Sequence, residues 1–316
     1  MPLPLLGDSE GALRGREALD RAAGGTHPVI IVAEPGCRPR DVARALHLGS
    51  RPAQPFIGLG SDPEGPALAV RLFGSLEHAG PEGDFTTLGS DSALLAAGGG
   101  TLFIDDLDDL PASAQRTLAR VLRDGEVGVP GTAQPVSLGC RVVAATSTGL
   151  GADARDGRLR DDLLRRFQQS IIRIPPLRQR PADLAVIVER LVKAAGAPAR
   201  TFTQAALTVL AALPWSRNID ELAATLGPVL SSAGPTVRQE DVLAHLPIEN
   251  AFTKLDTTAT LKDARRRFER EYIEAVLERH RWKMSEAART LGIERANLYR
   301  KARQLGISRT RRVEVP

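Results

Sequence analysis

Five short apolar runs, separated by stretches with helical spacing, constrain this chain more than any other feature. They stand in HPVIIVAEPG, PFIGLG, GGGTLFIDDLDDL, CRVVAATS and QSIIRIPPL. Between them lie DVARALHLGS, PASAQRTLARVLRDG and LRDDLLRRF, whose apolar residues recur every three to four positions. Strands alternating with helices predict an α/β fold, a mostly parallel sheet covered by helices.

After Pro175-Pro176 the pattern turns helical. PADLAVIVERLVKAAG carries Pro181 near its first turn and Gly196 past its end, and TQAALTVLAAL and NIDELAATLGPVLSS follow. The expected organisation is a core over 1–175, a small helical lid over 176–247, a weakly periodic linker over 248–261 and a helical module over 262–316. No apolar run approaches the twenty residues of a membrane span, and no basic-then-apolar leader opens the chain. A cytoplasmic location without membrane contact is expected. Cys37 and Cys140 have neither metal nor disulfide spacing, so no metal site is expected from them. No sensory domain is expected ahead of the core, which leaves input to the body itself, a partner or protein level.

The last segment is basic. Residues 262–316 hold 16 Lys and Arg against 8 Asp and Glu, whereas the whole chain has a net charge of +4. Charge alone fits either a nucleic-acid contact or a solvated, salt-bridged helical tail. The pattern decides between them. In RWKMSEAARTLGIERANLYRKARQLGI, Ser285 is placed to cap a short helix, Gly292 to end it, and a second helix runs from about Glu294 to Leu305. Two helices joined by a Gly turn make a helix-turn-helix whose second helix enters the major groove of double-stranded DNA. Ala287, Ala288, Leu291, Ile293, Leu298 and Leu305 are its expected packing. Arg295, Asn297, Tyr299, Arg300, Lys301 and Arg303 are its expected DNA face, with Arg suited to guanine, Asn to adenine, and the remaining cations to phosphate.

The segment after the first run, AEPGCRPRDVARALH, has the strand–turn–helix placement of a phosphate-binding loop. Glu34, Gly36, Arg38 and Arg40 are its candidate cofactor-contacting residues. Its lysine position holds Pro39, which has neither an ammonium nor an N–H.

The stretch GGGTLFIDDLDDLPASAQRTLARVLRDGEVGVPGTAQPVSLGCRVVAATS, with GRLRDDLLRRFQQSIIRIPPLRQRPADL, LPWSRNIDEL and the opening LLGDSEGAL, resembles the sigma-54 activator family of AAA+ ATPases. The C-terminal stretch, with the preceding ARRRFEREYIEAVLERH, resembles the Fis-type DNA-binding domain. The resemblance implies an AAA+ parallel-sheet core with a small helical lid, followed by an all-α Fis-type helix-turn-helix. It also implies a ring that hydrolyses ATP with Mg²⁺ to open promoters held by RNA polymerase with sigma-54. Phe268, Tyr272, Ile273, Val276 and Leu277 would support a dimer or pack in the module's own core. Asp105 matches the Mg²⁺-linked acid. Asp106 replaces the water-activating Glu with a side chain one methylene shorter. Arg160 and Arg166 match the arginine fingers that act on a neighbouring subunit's nucleotide.

Several positions depart from the family. Its loop reads G-E-S-G-T-G-K-E; here Ala33 stands at the first Gly, Arg38 at the third and Pro39 at the Lys. Ser147 stands where the family has a sensor Asn. NVREL has become NIDEL, which puts Asp220 where a γ-phosphate-sensing Arg belongs. HAGPEGDFT occupies the place of the GAFTGA-like loop that touches sigma-54. Together these favour a DNA-binding regulator, at least dimeric, whose AAA+ body is degenerate. ATP and Mg²⁺ become doubtful cofactors, and RNA polymerase with sigma-54 becomes a doubtful partner. Two alternatives stay open: a working ATPase that drives sigma-54 promoters, and a non-catalytic subunit that modulates related rings.

Overall fold

The computed structural model describes residues 1–60, 67–74, 88–129, 132, 134–147, 150, 158–246, 270, 273, 276–277, 284–291, 295–305 and 307. They fall into two compact units, Met1–His245 and Leu246–Pro316.

In the first unit the Ser9 hydroxyl accepts the Ala12 N–H and starts helix α1 (Glu10–Ala23). Strand β1 (Val29–Val32) leads into α2 (Pro39–Ser50), then β2 (Phe56–Leu59), the short helices α3 (Leu68–Phe73) and α4 (Ala93–Ala96), and β3 (Thr101–Ile104). Helix α5 (Ala112–Asp124) and the antiparallel pair β4 (Glu126–Val127) and β5 (Val136–Ser137) precede β6 (Arg141–Thr146), α6 (Asp161–Phe167) and β7 (Ile171–Arg173). The main sheet has the order β2-β3-β6-β1-β7, and every pairing in it is parallel.

Both β3 and β6 are buried along their whole length, as expected of strands covered on two faces. Their side chains alternate between two cores. Leu102, Ile104 and Ala144 join Leu118, Leu163 and Phe167 on one side; Phe103 and Val143 join Leu46 and Ile172 on the other. Arg141 opens β6 as a buried cation. Its guanidinium donates to the Ala22 carbonyl at 2.6 Å and the His27 carbonyl at 3.1 Å, tying the end of α1 to the sheet.

Beyond the sheet, two single 3-10 turns, Leu177–Gln179 and Pro181–Asp183, lead into α7 (Leu184–Ala194). Pro181 thus begins a 3-10 turn ahead of the α-helix. After a short strand β8 (Thr201–Phe202) come α8 (Gln204–Ala212), α9 (Asn218–Ser232), β9 (Thr236–Val237) and α10 (Gln239–Leu243). The all-helical expectation for this region is therefore incomplete, because β8 and β9 pair in parallel. Two residues apiece leave no periodicity to read.

In the second unit, α11 (Met284–Thr290) and α12 (Arg295–Gln304) pack around Ala287, Ala288, Leu298 and Ala302, with Ile273, Val276 and Leu277 in the same core. Leu291 and Leu305 pack against it, half-buried. Ser285 falls within α11 instead of at its cap. Phe268, Tyr272, Gly292, Ile293, Glu294, the linker 248–261 and the segment 78–86 lie outside the described residues. Among the described residues no helix is long and apolar enough to cross a membrane.

Candidate functional site

The turn from β1 to α2 carries Glu34, Gly36 and Arg38, the first turn of α2 carries Arg40, and the first turn of α9 lies against the loop. Gly36 has φ +80°, and a Cβ there would sit 1.9 Å from the Arg217 carbonyl oxygen, so only glycine lets the two segments approach. The Asp220 N–H donates to the Gly36 carbonyl at 3.2 Å. Arg38 is left-handed at φ 58°, a conformation that disfavours a residue with a Cβ. Its Nε donates to Asp220 Oδ1 at 2.6 Å. Pro39 follows as the first residue of α2, a position that suits its fixed φ but supplies no N–H.

Two further contacts complete this junction, and both involve residues the sequence did not single out. Asn218 is fully buried with φ 48°. Its amide donates to the Pro35 carbonyl at 3.0 Å, and its Oδ1 accepts the Leu177 N–H at 2.8 Å. Arg178 grips Glu34 with two bonds of 2.5 and 2.6 Å. The hydrogen bond from Arg178 holds the Glu34 carboxyl below its ordinary range. Asn218 sits inside the NIDEL motif but has no chemistry that marks it in sequence; its role follows from being folded onto the loop.

The loop walls a cavity of about 400 Å³ with Asp105, Asp106, Thr146, Ser147 and Asp220 on its other sides. The structure thus brings together Glu34, Gly36, Arg38, Arg40, Asp105 and Asp106. Burial, then the charge of Asp106, pushes the Asp105 carboxyl up to about 6. Asp106 is also raised, by burial and by Asp109 and Asp108. Arg40 lies over Gly58, where a Cβ would meet its guanidinium at 2.7 Å, and its charge acts to lower Asp105. Asp108, overlooked in sequence, accepts from Thr146 Oγ1 at 3.2 Å. Cys37 is buried, and burial pushes its thiol up to about 11, so it serves as packing. Among the described residues no cluster of His, Cys, Asp and Glu has the arrangement of a metal site.

The resemblance gives this loop a nucleoside triphosphate to hold, and the donor set here differs from the family's. The lysine position offers no cation, the start of α2 offers one N–H fewer, and Arg38 is already bonded to a carboxylate. Asp220 places an anion on the cavity wall.

Arg160 and Arg166 do not line this cavity within the chain. Arg160 forks onto Asp162 at 3.0 and 2.8 Å and borders a separate depression with Asp161 and Arg165. Arg166 borders another with Arg116, Arg120 and Arg123.

In the second unit, Arg295, Tyr299, Arg300 and Arg303 are exposed on α12, while Asn297 and Lys301 are half-buried. The Arg295 guanidinium stacks 5.7 Å from the Tyr299 ring centroid. Arg300 Nη2 donates to Asn297 Oδ1 at 2.7 Å, occupying an acceptor that base reading would need.

Residues 5–173 match the Sigma-54 interaction domain, and residues 264–301 match the bacterial regulatory protein family of Fis. The alginate biosynthesis transcriptional regulatory protein AlgB of Pseudomonas aeruginosa is 32% identical over 88% of this chain and 62% of its own length. The response regulator protein PilR of the same species is 31% identical over 96% of this chain and 70% of its own. The hydrogenase transcriptional regulatory protein HoxA of Cupriavidus necator is 32% identical, and the chain spans 61% of it. Among solved structures, NtrX from Brucella abortus in complex with ATP superposes with a TM-score of 0.61 at 27% identity, over 95% of this chain and 69% of that one. With the parallel-sheet core, the helices beyond it and the C-terminal helix pair in the family's order, the chain belongs to the sigma-54 interaction domain family and carries a Fis-family helix-turn-helix.

Proposed function

We propose that this chain is a DNA-binding transcriptional regulator of the sigma-54 activator type whose AAA+ body is impaired in ATP hydrolysis and lacks the sigma-54 contact loop. The domains run as 1–175, 176–247, 248–261 and 262–316. The carrying observation is the Arg38–Asp220 pair: two departures from the family's chemistry, 182 positions apart, meet as one ion pair. A phosphate-binding loop needs free donors and a free cation; here the cation is matched and the sensing position is anionic. The helix α12, with its exposed guanidinium groups, supplies the DNA contact. The AAA+ body serves in assembly or in sensing.

Calorimetric titration of the purified chain with ATP, ADP and Mg²⁺, followed by phosphate release, tests this reading. It expects no binding tighter than about 1 mM and no turnover. Micromolar affinity with hydrolysis would support the working ATPase instead.

A second reading draws on Arg160 and Arg166, both retained and both outside the chain's own cavity. In it the chain joins rings of an active relative and offers these arginines to a neighbour's nucleotide. Co-purification with such a relative, and a change in that relative's ATPase rate, separates it from the first.

A further inference from the structure

We propose that the cleft between α1, the carboxyl ends of β1 and β7, and Pro175 binds a small organic polyanion, at a site adjoining the loop cavity but built from different cations. The cleft has a volume of about 620 Å³, inside the range of ordinary small-molecule sites. It opens at Val32 and Ser147, at the carboxyl ends of β1 and β6, where open α/β sheets place their ligands, and runs along β7 from Ile171 to Pro175. Its floor is apolar, made by Val32, Ile171, Ile174 and Pro175.

Three arginines line the cleft: Arg14 and Arg21 from α1, and Arg173 from β7. Arg14 and Arg21 are seven residues apart, two turns of one helix face, which separates them by about 10 Å along the axis. Arg14 pairs with Glu10 one turn back, in an exposed contact of the kind that contributes little. The side chains of Arg21 and Arg173 have no ion-pair or hydrogen-bond partner among the described residues. The acid on the cleft wall, Glu34, is already matched by Arg178. Two unmatched cations beside an apolar floor fit a small organic molecule that carries two or more anionic groups on a short carbon skeleton. Gln179 adds a neutral polar group to the cleft, and Ser147 another at the border shared with the loop cavity. Phosphate esters and carboxylates share this chemistry. Such a ligand gives the body an input that does not pass through Arg38 or Pro39.

The experiment uses the full chain and calorimetry with three probes: 2,3-bisphosphoglycerate, citrate and inorganic phosphate. At least one of the two organic anions binds saturably with Kd below about 1 mM, and inorganic phosphate binds at least about tenfold more weakly. Which of the two binds distinguishes a phosphate-ester site from a carboxylate site. Arg21→Glu and Arg173→Glu each weaken binding by about tenfold or more, since each removes a charge-assisted bond and adds repulsion. Both residues are exposed and unmatched, so both variants keep the parent melting temperature. No saturable heat from either organic probe overturns the proposal. So does inorganic phosphate binding as tightly, or affinity that survives the Arg21→Glu/Arg173→Glu double variant. The ATP titration bears on the proposed function alone, so failure of one reading is distinguishable from failure of the other.

Discussion

Arg38 Nε donates to Asp220 Oδ1 at 2.6 Å, joining the loop after β1 to the first turn of α9. Each residue alone would be a misplaced charge: a cation with a left-handed backbone, and an anion beside Asp41, Asp105 and Asp106. Paired, each neutralises the other.

The pair is testable by charge reversal. Its side chains are 33% and 47% exposed, so solvent screening limits the contribution to about 0.5–1 kcal/mol. Arg38→Asp and Asp220→Arg should each lower unfolding free energy in urea by about that amount or somewhat more. The double swap should recover most of the loss, and the coupling is the readout. Strictly additive losses would mean that the contact contributes nothing in solution.

Restoring the family's loop chemistry is the complementary experiment. Arg38→Gly, Pro39→Lys and Asp220→Arg together return a flexible backbone, an ammonium and a cationic sensor. MgATP affinity should rise from weaker than about 1 mM to about 10 μM, a gain near 3 kcal/mol. Pro39→Lys alone should gain far less, because Arg38 and Asp220 still occupy each other. Equal affinity in the parent chain and the triple variant would show that the original loop was never the obstacle.

The sheet was legible because its central strands β1, β3 and β6 are buried on both faces and read as apolar runs, and because Gly and Pro punctuate the sequence around them. The departures at Pro39 and Asp220 were legible one at a time. Their contact was not, since it joins positions 38 and 220 through a tertiary fold that no periodicity encodes. Asn218 and Asp108 were missed for the same reason: a buried amide and one Asp among several carry no signal until their partners are known. Helices α3 and α4 escaped notice because six and four residues are too few for a 3.6-residue period.

Acid chemistry in the cavity sets a pH dependence. Asp105 is pushed up to about 6, so the folded chain holds a proton that the unfolded chain releases from about pH 4 upward. The folded state binds more protons across that window, so stability falls as pH rises from about 4 to 6 and stays lower above it. Asp106 and Asp41 are raised as well, and act in the same sense. Glu34, held low by Arg178, acts in the opposite sense near the bottom of the window. Asp105→Asn should therefore stabilise the chain at pH 8 by on the order of 1–2 kcal/mol and reduce, without abolishing, the slope. Urea unfolding of the parent and the variant at pH 5 and pH 8 measures it. A parent more stable at pH 8 than at pH 5, with no gain in the variant, would contradict the assignment.

Base reading and phosphate binding on α12 should separate by residue. Arg295 is exposed and braced by the Tyr299 ring, which orients its guanidinium without consuming its donors. After selection of a preferred duplex from a random library, Arg295→Ala should cost about 1–3 kcal/mol on that duplex and relax preference at one position. Tyr299→Ala should cost less, about 0.5–1 kcal/mol, through the lost bracing. Arg303→Ala should weaken all sequences alike and reduce the salt slope by about one. Asn297 already accepts from Arg300, so Asn297→Ala should change sequence preference little in comparison. Fluorescence anisotropy on the selected and a scrambled duplex at two salt concentrations reads all four. If Arg303→Ala instead altered preference while Arg295→Ala acted uniformly, the helix would meet DNA through a different face.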